Sequence, residues 1–204
     1  AAQLNAIASV AGTFVYTPAA GATLPAGANQ ALSVSFTPDD TTNYTTATAQ
    51  VAITVTKADQ GITFAALPDM EFGDGDIPLS ATASSGLPVT FAVTSGPGVL
   101  IGSSVHVTAI GTVTVTASQA GDANWNAAPD VAQTFSVLEG HAEIIVDGLT
   151  DGVVTKVYDG TAKGLDVTTD PAGLTVVITY DGTAEATTEI GEYAFEAWVD
   201  DPNY

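Results

Sequence analysis

Carboxylates are the commonest groups in this sequence that could do chemistry, and four of them crowd one stretch. Asp69, Glu71, Asp74 and Asp76 fall within PDMEFGDGD. Acidic residues on a flexible loop are the ligands Ca2+ takes, about six to eight oxygens at a time. Asp74 and Asp76 are therefore the candidate Ca2+ ligands, with Asp147 and Asp151 of DGLTDG a lesser cluster. Acidic turns are also common as plain solvated turns, and no segment has the spacing of an EF-hand or of the nonapeptide Ca2+ repeats. The expectation is that no cofactor is held, with Ca2+ at these turns the one alternative.

Other catalytic constellations are missing. The two histidines, His106 and His141, lie in different parts of the chain, and there is no cysteine. No nucleophile elbow, HExxH or glycine-rich phosphate loop occurs. Paired carboxylates of the glycosidase kind are set by spatial separation, and nothing in the sequence singles out a pair. The expectation is that the chain is not an enzyme. Lys57, Lys156 and Lys163 are its only basic side chains besides histidine, against 23 acidic residues. A net charge of −20 leaves nothing to neutralise phosphates, which excludes nucleic acid as a partner. A lysine–asparagine isopeptide bond would need a buried lysine beside a carboxylate. The middle of the chain has no lysine at the matching position, so the three are expected to be ordinary exposed lysines.

One pair of residue types recurs. DTTNY ends at Tyr44, GDANW at Trp125 and DDPNY at Tyr204, so each acidic turn leads to an asparagine and then an aromatic, 81 and then 79 residues apart. The candidate site residues are thus Asn43, Tyr44, Asn124, Trp125, Asn203 and Tyr204. Asparagine tolerates left-handed backbone and can hydrogen-bond its own turn. The following aromatic can close the end of a β-sandwich with its polar tip bonded to backbone, as a tyrosine corner does. An aromatic platform for sugars is the alternative reading, and the shared phase favours the structural one.

The elements that must position these turns are strands. Leu32, Val34 and Phe36 alternate with serines, as do Val51, Ile53 and Val55 with Ala52 and Thr54. Val113 and Val115 alternate with threonines, Phe135 and Val137 flank Ser136, and Tyr193, Phe195 and Ala197 continue the pattern. Period two, bounded by Gly, Pro, Asp and Asn turns, reads as short half-buried strands. No apolar run is long enough for a membrane helix, so no membrane insertion is expected of this segment.

A strand enters each Asn–aromatic turn, and a second strand, TATAQVAITV or PDVAQTFSV, follows the first two. Phe72–Val93 and Tyr158–Tyr180 share a further pattern of acidic turn, strand, Gly-Leu and strand. A period near 80 residues fits one immunoglobulin-like sandwich per repeat. The expected fold is all-β, a tandem and elongated array of immunoglobulin-like β-sandwich domains. Its divisions are 1–57, a repeat lacking its first strands; 58–139, a complete repeat; and 140–204, a repeat lacking its last strand.

The last of these resembles the MBG-type domain of bacterial surface and adhesin proteins through its YDGT start, PAGL strand, second YDG and DPNY ending. The first two, with FTPDDTTNYTTA, ATASSGLPVTFAV and SQAGDANWNAAP, resemble the bacterial Ig-like repeats of large surface proteins. The resemblance implies an extracellular or cell-surface location and a non-catalytic structural role, as a stalk or shaft. Neighbouring Ig-like repeats, of the same or an adjacent chain, are the implied partners. Two alternatives stand beside it. One is a self-assembling filament subunit completed by strand exchange. The other is an adhesin module binding a cell-surface glycan or protein, which would need an exposed aromatic patch including Trp198 or Tyr180.

Overall fold

The computed structural model describes residues 5–157, 159–189 and 191–204. Every regular element among them is a β-strand, so the chain is all-β. Contacts divide it into two compact units. One comprises Ala1–Thr63, Thr82–Thr90 and Ser118–Asp130; the other comprises Phe64–Ala81, Phe91–Ala117 and Val131–Tyr204.

The first unit holds a three-stranded antiparallel sheet of β1 (Gly12–Thr17), β2 (Gly27–Pro38) and β3 (Ala47–Val55), in that order. Residues directly opposite share a face of a sheet. Phe14 lies opposite Phe36, and Tyr16 opposite Val34; Ala49 and Val51 lie opposite Val34 and Leu32. The alternation seen in the sequence therefore gathers one apolar face, while Thr13, Ser33, Ser35, Thr37, Thr48 and Gln50 take the other. The Phe14 and Phe36 rings meet at 4.9 Å between centroids. A bulge at the start of β2 places Asn29 at φ 56, a left-handed conformation that asparagine accepts with little strain.

The middle of the chain contributes β4 (Ile62–Phe64), β5 (Met70–Glu71), β6 (Ile77–Pro78), β7 (Ala81–Ala83), β8 (Thr90–Ser95), β9 (Gly98–Ile101), β10 (Ser104–Val107), β11 (Gly111–Ser118) and β12 (Val131–Leu138). They form a four-stranded sheet in the order β5-β12-β11-β8, a three-stranded sheet in the order β6-β10-β9, and the pair β4-β7. A Cβ placed on Gly98 of β9 would come within 3.1 Å of Val113 on β11 and 3.2 Å of Val105 on β10. The two larger sheets therefore face each other. Between them Val105, Val113, Val115 and Ala117 are wholly buried, with Phe135, Val137, Ile77 and Leu79 around them. Each buried valine contributes about 1.5–3 kcal/mol relative to exposure.

One buried polar cluster belongs to the first unit. Gln60 Nε2 donates to Gln119 Oε1 at 2.6 Å and to the Asn126 carbonyl at 2.7 Å, and Ser85 Oγ donates to Gln60 Oε1. Such satisfaction is what lets two glutamines sit inside.

The C-terminal part consists of two-stranded pairs. β13 (Glu143–Val146) pairs with β16 (Val167–Asp170), β14 (Leu149–Thr150) with β15 (Val153–Val154), and β17 (Val176–Tyr180) with β18 (Phe195–Val199). The alternation starts this strand at Tyr193, but β18 begins two residues later, at Phe195. Tyr158, the first residue of the YDGT motif, lies outside the described residues.

Candidate functional site

All three Asn–aromatic turns are built by an aspartate. Asp40 Oδ1 accepts the N–H groups of Thr42 and Asn43, each at 3.1 Å. Asp122 Oδ1 accepts those of Asn124 at 2.7 Å and Trp125 at 2.9 Å. Asp201 Oδ1 accepts that of Asn203 at 2.9 Å. An aspartate accepting from backbone a few residues on is an Asx turn. At the first turn the bond from the Asn43 side chain, joined by the backbone donors, holds the Asp40 carboxyl below its ordinary range.

The asparagines do not use the left-handed backbone expected of them; none of the three has a positive φ. In Asn124 and Asn203 the side-chain carbonyl does the work instead. Within the first unit, Asn124 Oδ1 accepts the N–H of Ala26 at 2.8 Å, and the Asn124 backbone carbonyl accepts the N–H of Ala58 at 2.9 Å. Within the second unit, Asn203 Oδ1 accepts the N–H of Ile110 at 3.0 Å, and the Asn203 carbonyl accepts the N–H of Gly140 at 2.8 Å. Ala26 immediately precedes Gly27, which opens β2; Ile110 immediately precedes Gly111, which opens β11. Ala58 and Gly140 are the residues at which the sequence places its two boundaries. One asparagine thus grips an upstream strand-opening amide with its side chain and the amide at an expected boundary with its backbone, and the arrangement occurs twice. Such amides would otherwise be unpaired donors.

Side-chain packing distinguishes the two copies. At the first, Trp125 lies in a groove with Leu24, Pro25, Val55, Thr56 and Ala58. The Asn126 N–H returns a bond to the Ala58 carbonyl at 2.8 Å, and Lys57 Nζ donates to the Asp122 carbonyl at 2.6 Å. At the second, the Tyr204 ring meets Phe72 edge-on with centroids 5.5 Å apart. A Cβ on Gly140 would lie 2.3 Å from the Phe72 carbonyl and 2.8 Å from the Tyr204 ring, so glycine is required there by close approach. Neither the Trp125 indole N–H nor the Tyr204 hydroxyl hydrogen-bonds a described residue. The aromatics act by ring packing, not by the polar tip of a tyrosine corner.

The other candidates are spent locally. Asp74 Oδ2 accepts the Glu71 N–H at 3.0 Å, and Asp76 Oδ1 pairs with His106 Nδ1 at 2.8 Å. Among the described residues no three His, Asp or Glu side chains gather in a way that could hold a metal ion. Lys156 pairs with Asp166 at 2.8 Å and Lys163 with Asp159 at 2.5 Å. Trp198 lies opposite Val177, and Tyr180 lies opposite Phe195. By strand alternation these two aromatics point to opposite faces of β17–β18 and form no common patch. The Tyr180 hydroxyl is also engaged, accepting the Leu165 N–H at 2.8 Å.

Strand-opening amides were not singled out by the sequence. Ala26-Gly27 and Ile110-Gly111 stand out only once the asparagine is known to reach across to them. A comparison of the two spacings, 98 residues from Ala26 to Asn124 and 93 from Ile110 to Asn203, could have suggested the pairing.

The described elements and the twice-used Asn–aromatic junction define an all-β protein. The family of the MBG domain matches residues 148–204, so the C-terminal segment is of the MBG type. MBG domains occur in bacterial surface proteins, which is consistent with a surface repeat module. No curated protein matches the chain. No helix among the described residues is long and apolar enough to cross a membrane.

Proposed function

We propose that this chain is a non-catalytic extracellular shaft segment of a bacterial surface or adhesin protein, built as tandem immunoglobulin-like sandwiches. The observation that carries the reading is the repeated junction. Asn124 and Asn203 make the same two bonds to corresponding partners in successive repeats. A module whose task is to hold direction along an array needs each joint fixed in the same way, because flexible joints would let it fold back on itself. The facing sheets of the middle repeat, with a buried aliphatic core, support the sandwich assignment. The MBG match supports the surface setting.

Partners in this reading are further repeats of the same kind. On β17–β18 the Tyr180 hydroxyl is engaged by the Leu165 N–H, which leaves Trp198 as the aromatic the glycan alternative would use. Small-angle scattering tests the proposal. An elongated particle is expected, and its maximum dimension shortens and its distance distribution broadens in the double variant Asn124→Ala/Asn203→Ala. A globular envelope for the wild-type chain would overturn it.

A further inference from the structure

Charge is distributed unevenly along this chain. From Ile77 to Gly121 it has no Asp, Glu, Lys or Arg, although the whole carries 23 acidic residues and a net charge of −20. That stretch holds β6 to β11, and with them β9, the edge strand of the sheet β6-β10-β9. Edge strands offer unpaired N–H and C=O groups, and proteins ordinarily guard them with charge, proline, a bulge or brevity. The edges at β5 and β6 are guarded in this way. Each has two residues, and Asp69, Glu71, Asp76 and Pro78 lie in or beside them. The edge at β8 turns Thr90, Ala92 and Thr94 to solvent. β9 runs Gly98-Val99-Leu100-Ile101, with no charge and no proline, and its exposed side chains are aliphatic. It lies mid-chain, so its free edge is not set by where the sequence begins or ends.

The direction of its free groups follows from the hairpin β9–β10. Ile101 and Ser104 flank a two-residue turn opened by Gly102 at φ 61, so they exchange both of their backbone bonds. Bonded and non-bonded pairs alternate from there. Val99 and His106 are the next bonded pair, and Leu100 and Val105 stand between, without bonds to each other. The Leu100 N–H and C=O therefore point away from β10, and among the described residues no strand lies on that side. The side chains divide by face. Leu100 shares the inner face with the wholly buried Val105, while Val99 and Ile101 stand on the outer face, 51% and 56% exposed.

We infer that β9 is the edge at which a second copy of this chain docks, antiparallel, about a two-fold axis through Leu100. The register is self-complementary. Leu100 falls opposite the second copy's Leu100, and the two exchange the bonds that are free in each. Val99 falls opposite the second copy's Ile101 at a non-bonded position, where facing Cα atoms approach to about 4.5 Å. The exposed aliphatic side chains of the two copies thus cover one another. Gly98 falls opposite the second copy's Gly102, so neither end of the joint carries a side chain that could clash. Charge selects the same edge, because two copies at −20 each repel least where neither has a charged residue. The far edge of each sheet is β6, beside Asp76 and Pro78, so the joined sheet β6-β10-β9-β9-β10-β6 closes at two copies. The joint is short and so weak when single, and copies displayed side by side would strengthen it through effective concentration. It is independent of whether the chain is a shaft.

Analytical ultracentrifugation of the full chain tests the association. A reversible monomer–dimer equilibrium is expected, tightening with added salt because screening relieves the repulsion between acidic copies. Ile101→Glu should weaken it at least about tenfold, since a carboxylate would be set against the second copy's Val99. Ile101 is exposed, so this variant keeps its fold, and unchanged amide exchange at Val113 and Val115 checks that. Cross-linking tests the register, and the chain has no cysteine of its own to interfere. A mixture of Val99→Cys and Ile101→Cys chains should form a disulfide dimer at least about tenfold faster than either variant alone, because only the mixed pair stands directly opposite. A chain that stays monomeric at ~1 mM in high salt, dimers indifferent to Ile101→Glu, equal cross-linking in all three samples, or growth beyond two copies overturns the inference. A monomer that is elongated by scattering would leave the shaft reading standing and this one refuted.

Discussion

The hairpins β2–β3 and β11–β12 carry the same alternation, join the same kind of turn and end on the same kind of linker. Their surroundings differ. Phe135 and Val137 sit in a closed core, whereas Ile53 and Val51 face outward. The junctions differ in a parallel way. The first uses Trp125 in a groove, an alanine linker and a lysine tie; the second uses Tyr204 against Phe72 and a glycine that nothing larger can replace. The hydrogen-bond scheme is common to both, and the packing around it is specific to each. Backbone geometry, then, is what the repeat preserves.

The largest expected contrast is between the hairpins. Phe135→Ala should cost about 3–5 kcal/mol, because it opens a cavity in a filled core. Ile53→Ala should cost less than about 1 kcal/mol, because little apolar area is withdrawn from water there. Chemical denaturation of the two variants measures this, and equal losses would mean that β3 is covered in solution. Next come the linkers. Gly140→Ala should destabilise by about 1–3 kcal/mol through overpacking against Phe72 and Tyr204, while Ala58→Gly should cost no more than about 1 kcal/mol. Thermal melts that ranked the two in the opposite order would contradict the assigned packing.

Asn124→Ala and Asn203→Ala should each cost about 0.5–1.5 kcal/mol, the worth of one hydrogen bond. Asn43→Ala should cost less, since its one described side-chain bond, from Nδ2 to Asp40 Oδ2, lies within an exposed turn where water competes. The smallest effect is electrostatic. Lys163, and after it Thr161, hold the Asp159 carboxyl well below the ordinary carboxylate range. The folded state therefore binds that proton less readily than the unfolded chain. The contribution is complete above the unfolded value of 3.8 and disappears as pH falls through the lowered folded value. Asp166 raises Lys156 and is lowered by it, so that pair contributes fully only between about 3.8 and 10.5, and fades as pH falls through the lowered Asp166 value or rises through the raised Lys156 value. Both pairs are exposed, so Lys163→Met should change the acid limb of a stability profile only slightly, and more at low salt than at high.

The strands were legible because period two is written directly in Leu32–Phe36, Val51–Val55, Val113–Val115 and Phe135–Val137. The repeat phase likewise marked Asn43, Asn124 and Asn203 as special. What each asparagine bonds was not legible, because Ala26 and Ile110 offer only backbone N–H groups and any residue carries one. The same limit hid the need for Gly140, which arises from the distant Phe72 carbonyl. It also hid the local engagement of Asp74 and Asp76, which depends on Glu71 and His106 lying beside them.

The central claim is that the Asn–aromatic turns at Asn124 and Asn203 each grip an upstream strand-opening amide. Residue-resolved hydrogen exchange of the full chain tests it most directly. Ala26 and Ile110 amides should be protected in the wild type, with Asn124→Ala releasing only Ala26 and Asn203→Ala releasing only Ile110. Free exchange of both amides in the unmodified chain, or protection that survives both substitutions, would contradict it.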